Sequence, residues 1–236
     1  MIGQENAAGS TVAVDLRLYG ILDVGVCGAD GSRLKAMAAE AAAGGCTLLQ
    51  YREKDIADAR AALARIKAIH AALAGTGVPL LVNDRVDLAL AAGVEGVHLG
   101  QSDMHPADAR NLLGRGAIIG LTLKTGAQAD ELYRTPADYA CIGGVFATAS
   151  KDNPDPPIGL DGFRRVAFRA RLARGSGFPL GAIAGIDASN AAAVIGAGAD
   201  GVAVISSLFG GDSVEGRARD LRDRIDSALA ARGIAA

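Results

Sequence analysis

The chain has 236 residues, of which half are hydrophobic and none is Trp, and its formal net charge is −2. A charge so close to zero gives no electrostatic reason to expect nucleic acid or a membrane surface as a partner. No run of about 18 apolar residues without charge occurs, so we also expect no membrane-spanning helix. The length suits one domain of the size of an eight-stranded α/β barrel.

Short β-branched segments alternate with alanine-rich segments along the chain. Strands are predicted at 18–23, 47–53, 79–84, 96–100, 117–122, 138–146, 179–186 and 201–206. Helices are predicted at 32–43, 56–74, 85–92, 106–113, 126–132, 160–173, 188–196 and 214–231. Eight strands that each precede a helix indicate βα units and a parallel sheet, and the count of eight favours a closed (β/α)8 barrel. No glycine-rich dinucleotide motif follows the first strand, which disfavours an open doubly wound sheet.

The two ends of the chain and its cysteines suggest a simple domain plan. Residues 1–15 contain a carboxylate and no basic cluster, so we predict a loose tail rather than a signal peptide, followed by one catalytic domain at 16–236. Cys27, Cys46 and Cys141 are odd in number and widely spaced, which indicates reduced thiols in a cytoplasmic protein. Small buried hydrophobic side chains are the simplest role for them.

The second predicted strand ends in polar residues, at the place where a barrel has its chemistry. Alternation puts Gln50, Arg52 and Lys54 on one face of this strand, with Tyr51 and Glu53 between them. An Arg and a Lys that converge at the barrel mouth suit a diphosphate, because Arg offers a planar fork of donors and Lys a compact charge. A solvated run of charges at a helix entrance is the alternative.

Two carboxylates follow neighbouring strands. Asp84 follows the third strand, beside Asn83, and Asp103 follows the fourth. Each Asp could cap the next helix. Two carboxylates near a diphosphate also meet the needs of Mg²⁺, which takes few protein ligands and fills its octahedron with phosphate oxygens and water. His98 lies within the fourth strand, where a hydrogen-bonded core histidine is the simpler interpretation.

The later strands end in small and hydroxylated residues. Thr122 places a hydroxyl at the end of strand five, and the loop at 143–157 combines glycines, hydroxyls, Lys151 and several prolines, as a lid over a phosphate would. Gly185 and Ser206 end strands seven and eight, whose loops commonly bind phosphate in such barrels. An ordinary proline-rich surface loop and tight βα turns are the alternatives.

Taken together, these segments resemble the thiamine phosphate synthase family. The resemblance rests on Gln50-Tyr51-Arg52-Glu53-Lys54, Asn83-Asp84-Arg85, the segments 96–103 and 143–151, Ala184-Gly185-Ile186 and Val204-Ile205-Ser206. It implies a barrel that joins 4-amino-5-hydroxymethyl-2-methylpyrimidine diphosphate to a thiazole phosphate, with diphosphate leaving before the thiazole nitrogen attacks.

The resemblance also assigns residues. The residues that would hold the pyrimidine diphosphate are Gln50, Tyr51, Arg52, Glu53, Lys54, Asn83, Thr122 and Lys151. Asp84 and Asp103 would bind Mg²⁺, and catalysis would depend on the cations Arg52, Lys54 and Lys151. The residues that would hold the thiazole phosphate are Thr148, Ala149, Ser150, Gly185, Ile205 and Ser206.

The chain departs from the family pattern at a few positions. The family usually has Ser where Thr122 stands, and His where this chain has Lys124. Thr keeps the hydroxyl, whereas Lys124 either adds a cation near the diphosphate or points to solvent. The lid has Ala147, Ala149 and Ser150 where the family often has Pro and Thr.

Two other functions fit the same barrel. A thiazole tautomerase would have no diphosphate to hold, which is at odds with the retained cations and carboxylates. A non-catalytic sensor would bind one phosphorylated ligand without turnover. The expected partners are therefore small phosphorylated molecules. The chain could also form homo-oligomers.

Overall fold

A computed structural model describes residues 13–148 and 156–233 as eight parallel strands and the helices that surround them. The strands are β1 (Leu18–Asp23), β2 (Leu48–Arg52), β3 (Leu80–Asn83), β4 (Gly96–Leu99), β5 (Ile118–Leu123), β6 (Tyr139–Ile142), β7 (Leu180–Ile183) and β8 (Gly201–Val204). They pair in chain order, and β8 pairs with β1 to close the barrel. The predicted (β/α)8 fold is therefore confirmed.

Helices cover the outside of the barrel. They are α1 (Val24–Cys27), α2 (Gly31–Ala43), α3 (Ala59–Ala72), α4 (Val86–Ala92), α5 (Pro106–Leu113), α6 (Gly126–Asp130), α7 (Gly159–Arg174), α8 (Ala191–Gly196), α9 (Ser206–Phe209) and α10 (Val214–Ala231), with a 3-10 helix at Glu131–Arg134. Within the described ranges, no helix is long and apolar enough to span a bilayer.

The structure differs from the prediction mainly at the carboxyl ends of the strands. The strand predicted at 138–146 ends at Ile142, because Gly144 has a left-handed φ of 72° that interrupts the extended backbone. The Val145 and Phe146 N–H groups still donate to the carbonyls of Ile183 and Ala184. Helices α1 and α9 were not predicted, since four residues are too few to show helical periodicity. α1 follows directly on β1, and α9 begins one residue after β8.

The side chains of the strands divide between two cores. Leu18 and Leu22 of β1 point outward and pack against the helices, whereas Tyr19 and Ile21 point into the barrel. The alternation follows from the period of two in a strand. The barrel interior is thus filled, as in other barrels of this class, and the space for ligands is left at its mouth.

The amino ends of the odd-numbered strands are capped by residues that precede the even-numbered strands. Asp200 accepts the Leu180 N–H at 2.9 Å, and Glu95 accepts the Leu80 N–H at 2.8 Å. Asp138 does the same for Ile119 at 2.7 Å, and the Thr47 hydroxyl for Leu18 at 3.1 Å. These side chains fix the strand register at the end of the barrel opposite the polar mouth.

Candidate active site

Two adjoining cavities open at the carboxyl end of the strands. The first, of about 400 Å³, is polar and is called the first lobe; its lining includes Gln50, Arg52, Lys54, Asn83, Asp84, His98, Gln101 and Asp103. The second lobe, of about 60 Å³, is lined by residues that include Gly143, Gly144, Thr148, Gly185 and Ser206. Both lobes share Thr122, Lys124, Ile183 and Ile205. The lobes are therefore two halves of one mouth.

The cations of the first lobe are held by carboxylates. Arg52 forms an ion pair with Asp23, and both side chains are largely buried. The Lys54 ammonium lies 3.3 Å from Asp84 Oδ2. Because Gln50, Arg52 and Lys54 all line the lobe, the predicted alternation along β2 places these three side chains as expected.

The structure does not bring the side chains of Tyr51 and Glu53 to the mouth. Tyr51 is buried in the outer core, where its hydroxyl bonds to Glu53. Arg65 of α3 donates to the Tyr51 hydroxyl at 2.9 Å and to the Glu53 carboxylate at 2.7 Å. Odd and even positions of β2 face opposite ways, so side chains next to Arg52 in sequence pack against a helix instead. The assignment of these two side chains to the substrate gains no support from this placement.

The two candidate metal ligands do not cap helices. His105, rather than Asp103, caps α5 by accepting the Ala107 N–H, and the residue at the cap of α4 is Arg85. Asp103 Oδ2 instead accepts the Gly100 N–H at 2.6 Å, within its own loop. Asp84 adopts a left-handed φ of 61°, which is uncommon for a non-glycine residue and is enriched at functional sites.

Asp84 and Asp103 lie close enough to affect each other. Burial, followed by hydrogen bonding and charge repulsion from Asp103, raises the pKa of Asp84, and Lys54 opposes this effect. A cation between the carboxylates would relieve their repulsion. Within the described residues, no group of three His, Cys, Asp or Glu side chains is arranged to hold a metal ion, so a cation here would need additional ligands from outside the protein.

The second lobe is shaped by glycines and an unusual backbone. Ala184 has a φ of 92° and Gly185 a φ of 65°, so the chain turns sharply after β7. A Cβ atom at position 185 would lie 2.3 Å from the Ala147 carbonyl oxygen and 2.7 Å from Phe146 Cβ. Only glycine therefore lets the loops after β6 and β7 pack this closely beside the lobe.

The remaining candidate residues of the second lobe fall into two groups. The side chains or backbone of Thr148, Gly185, Ile205 and Ser206 line the lobe together, as predicted. Ala149, Ser150 and Lys151 lie outside the described residues. Their assignment to substrate stays a prediction.

Asp23 and Gln101 belong to the site but were missed in the sequence. Asp23 is 5% exposed and holds Arg52, and Gln101 Nε2 donates to the Thr122 carbonyl at 2.6 Å. The position of Asp23 at the end of β1 is the signal that could have found it, since the same rule identified Asp84. Gln101 lies in the loop after β4, beside Asp103, and the same rule could have found it.

The three cysteines agree with the expectation of unpaired, buried thiols. Cys27, Cys46 and Cys141 are all free and buried. Burial raises the pKa of Cys27 to about 11 and that of Cys46 and Cys141 to about 12. Thiols so fully protonated at neutral pH are poor nucleophiles, and we assign them no chemistry.

A (β/α)8 barrel with paired cations, paired carboxylates and a glycine-lined pocket at its mouth defines a class: enzymes that bind phosphorylated small molecules. A family model described as thiamine monophosphate synthase matches residues 18–208. The chain belongs to this family. The resemblance predicted from the sequence is confirmed, as is the enzyme class, a transferase of thiamine biosynthesis.

Individual relatives agree along nearly the whole chain. A thiamine-phosphate synthase of Agrobacterium fabrum is 50% identical over 220 residues, covering 93% of this chain and 98% of the relative. One from Chloroflexus aurantiacus is 41% identical over 209 residues, covering 89% and 92%. The solved thiamine phosphate pyrophosphorylase of Pyrococcus furiosus superposes with a TM-score of 0.78 at 31% identity, covering 92% of this chain and 98% of that chain.

Proposed function

We propose that the chain joins 4-amino-5-hydroxymethyl-2-methylpyrimidine diphosphate to a thiazole phosphate, giving thiamine phosphate and diphosphate. The C–O bond between the methylene carbon and the diphosphate breaks, and the diphosphate leaves with the electron pair. A C–N bond then forms between that carbon and the thiazole nitrogen. The observation that carries the proposal is the pair of adjoining lobes, since one suits a diphosphate, the other a phosphate, and both meet at Thr122.

The first lobe would stabilise the departing diphosphate. Arg52 is held at the mouth by Asp23, so its guanidinium is positioned before substrate arrives. Lys54 reaches the same lobe from the loop that follows β2, two residues after Arg52. Preorganised charges of this kind lower the barrier because they need no rearrangement while negative charge develops on the leaving group.

Asp84 and Asp103 fit Mg²⁺ as two protein ligands. Burial, and after it the neighbouring Asp103, raises the pKa of Asp84, so a divalent cation between the two carboxylates would stabilise their ionised forms. Two carboxylates leave the other positions for diphosphate oxygens and water, as Mg²⁺ prefers. When bound, Mg²⁺ would neutralise charge on the leaving diphosphate.

The second lobe would hold the thiazole phosphate. The hydroxyls of Thr148 and Ser206 and the close backbone turn at Gly185 line it together. This lobe follows β7 and β8, the usual phosphate position of the fold. Binding there would place the thiazole beside Thr122, on the side from which the methylene carbon is open to attack.

Several expectations stay proposals beside this one. They are a catalytic domain at 16–236 after a tail at 1–15, of which 1–12 lie outside the described residues, a cytoplasmic location, possible homo-oligomers, and the roles of Ala149, Ser150 and Lys151. A tautomerase would leave the cations and carboxylates of the first lobe without a task. A sensor of one phosphorylated ligand would need neither the paired carboxylates nor two adjoining lobes, so we adopt neither alternative.

Diphosphate release by the purified chain tests the proposal. With both substrates and Mg²⁺, we expect diphosphate and thiamine phosphate to appear in equal amounts, and EDTA to stop both. Asp84→Asn should reduce turnover, whereas Asp87→Asn, on the exposed face of α4 and three residues away, is the matched control. Binding of the thiazole phosphate without any diphosphate release would refute the proposal.

A further inference from the structure

A triangle of hydrogen bonds joins the end of β2 to helix α3 on the outside of the barrel. Arg65 Nε donates to the Tyr51 hydroxyl at 2.9 Å, and Arg65 Nη2 donates to the two oxygens of the Glu53 carboxylate at 2.8 and 2.7 Å. The Tyr51 hydroxyl donates its own proton to Glu53. We call these three residues the clamp.

The chemistry of the three groups fixes every donor and acceptor of the clamp. A guanidinium only donates and an ionised carboxylate only accepts, so the hydroxyl accepts from Arg65 and gives its proton to Glu53. The side chains of Arg65 and Glu53 are each 15% exposed, and Tyr51 is buried. Charge-assisted hydrogen bonds of this kind are among the stronger contacts in proteins. The clamp is therefore a firm link between β2 and α3.

The clamp lies directly beside Lys54 in the chain. β2 ends at Arg52 and α3 begins at Ala59, so the loop between them starts with Glu53, whose side chain is tied to α3. Lys54 is the next residue and lines the first lobe. The clamp thus fixes one end of the short backbone segment that carries Lys54.

Lys54 depends on this anchor more than Arg52 does. Arg52 lies within β2, and its ion pair with Asp23 is largely buried. The Lys54 ammonium lies 3.3 Å from Asp84 Oδ2, but the Lys54 side chain is 56% exposed. An ion pair so open to water contributes little, because solvent screens its charges and the long side chain loses entropy. The backbone held by the clamp then decides where the ammonium lies.

We propose that Arg65 is a positioning residue that places the Lys54 ammonium in the first lobe through Glu53 and the loop after β2. Arg65 packs against the outer face of β2, where Tyr51 lies, so it acts on the lobe only through the clamp. The effect on turnover rests on the proposed function, in which Lys54 meets the departing diphosphate. The position of Lys54 is a property of the protein alone.

Steady-state kinetics test the positioning role. Arg65→Met removes the guanidinium, and kcat should fall by about 10- to 100-fold, as when a distant change misplaces a group at the site. The KM of the thiazole phosphate should stay near the wild-type value, because the second lobe is lined by residues of β5 and later elements. Lys67→Met, at an exposed cation of the same helix, is the matched control and should keep wild-type kcat.

A double-mutant cycle separates positioning from general damage. If Arg65 acts through Lys54, then Arg65→Met should have almost no further effect on kcat in protein that already carries Lys54→Ala. The two changes then remove one and the same contribution, so their effects do not add. A further loss of about 10-fold in the Lys54→Ala background would refute the positioning role and leave Arg65 as a structural residue.

The ¹³C signals of dimethylated lysines test the placement of Lys54 without turnover. Reductive methylation with ¹³C-formaldehyde labels the five lysines of the chain and keeps their charge, and Lys54→Arg identifies the Lys54 signal by its absence. Arg65→Met should move this signal, whereas Lys67→Met should leave it in place. An unmoved signal in folded Arg65→Met would overturn the inference.

Failure of the two proposals can be told apart. If the wild-type protein shows no turnover, the proposed function is wrong, and the ¹³C signal of Lys54 alone decides its placement. If folded Arg65→Met keeps wild-type kcat, the positioning role is wrong and the synthase activity stands.

A second variant covers the case in which Arg65→Met does not fold. Tyr51→Phe removes one hydroxyl of the clamp and keeps the ring in the outer core. It should move the Lys54 signal and lower kcat in the same direction as Arg65→Met. An unmoved signal together with wild-type kcat would count against the clamp.

Discussion

Replacing Gly185 by Ala should damage the second lobe more than the fold. Gly185 has a φ of 65°, and a Cβ there would lie 2.3 Å from the Ala147 carbonyl oxygen. The left-handed backbone costs a non-glycine residue about 1 kcal/mol. Forcing the loops apart adds roughly 1–3 kcal/mol, as for overpacking elsewhere. The sum, about 2–4 kcal/mol, is below the ~5–15 kcal/mol by which a typical domain is stable, so the variant should fold.

Gly93→Ala separates the two contributions. Gly93 has a similar φ of 69°, but an added Cβ there would have nothing within 4 Å. Urea unfolding should therefore show a loss of only about 1 kcal/mol for Gly93→Ala. Gly185→Ala alone should also raise the KM of the thiazole phosphate, because the displaced loops line the second lobe. Equal stability losses, or an unchanged KM in Gly185→Ala, would refute the packing argument.

Three other outcomes are expected. Asp84→Ala and Lys151→Ala should each lower kcat by at least about 100-fold, because each removes a preorganised charge from the site. The thermal unfolding temperature should stay unchanged. A near-normal kcat in either variant would show that its residue is not part of the site. Asp200→Ala should lower the free energy of unfolding by about 2–3 kcal/mol, since the Leu180 N–H and the Arg171 guanidinium each lose an acceptor at 2.9 Å; urea unfolding with no change would contradict this. At pH 8 the three buried thiols should resist iodoacetamide in the folded protein and react after unfolding, since their pKa values of about 11–12 leave little thiolate; rapid labelling of the native chain would show otherwise.

The fold was predictable because each element carries its own local signal. Apolar strands recur at regular spacing, and α5 (Pro106–Leu113) and α10 (Val214–Ala231) end where the sequence indicates. The short helices α1 and α9 were not predicted, since four residues are too few to show the 3.6-residue period of a helix. The end of β6 was predicted too late, because the apolar Val145 and Phe146 follow the left-handed Gly144 and still bond to Ile183 and Ala184.

The site was predictable only where position along a strand decides it. Alternation along β2 placed Gln50, Arg52 and Lys54 correctly, and the same alternation removes Tyr51 from the mouth. The hydrogen bond between the Tyr19 and Tyr139 hydroxyls could not be predicted from the sequence, since 120 residues separate the two tyrosines. Only the folded barrel brings them together.

Binding of each substrate to single-lobe variants tests the central claim, that two lobes of one mouth each hold one substrate. Calorimetric titration of Asp84→Asn should show loss of the Mg²⁺-dependent affinity for the pyrimidine diphosphate, with the thiazole phosphate still bound. Gly185→Ala should show the reverse. If either variant lost both ligands while folded, or if the two ligands competed for one site in the wild-type protein, the two-lobe account would be contradicted.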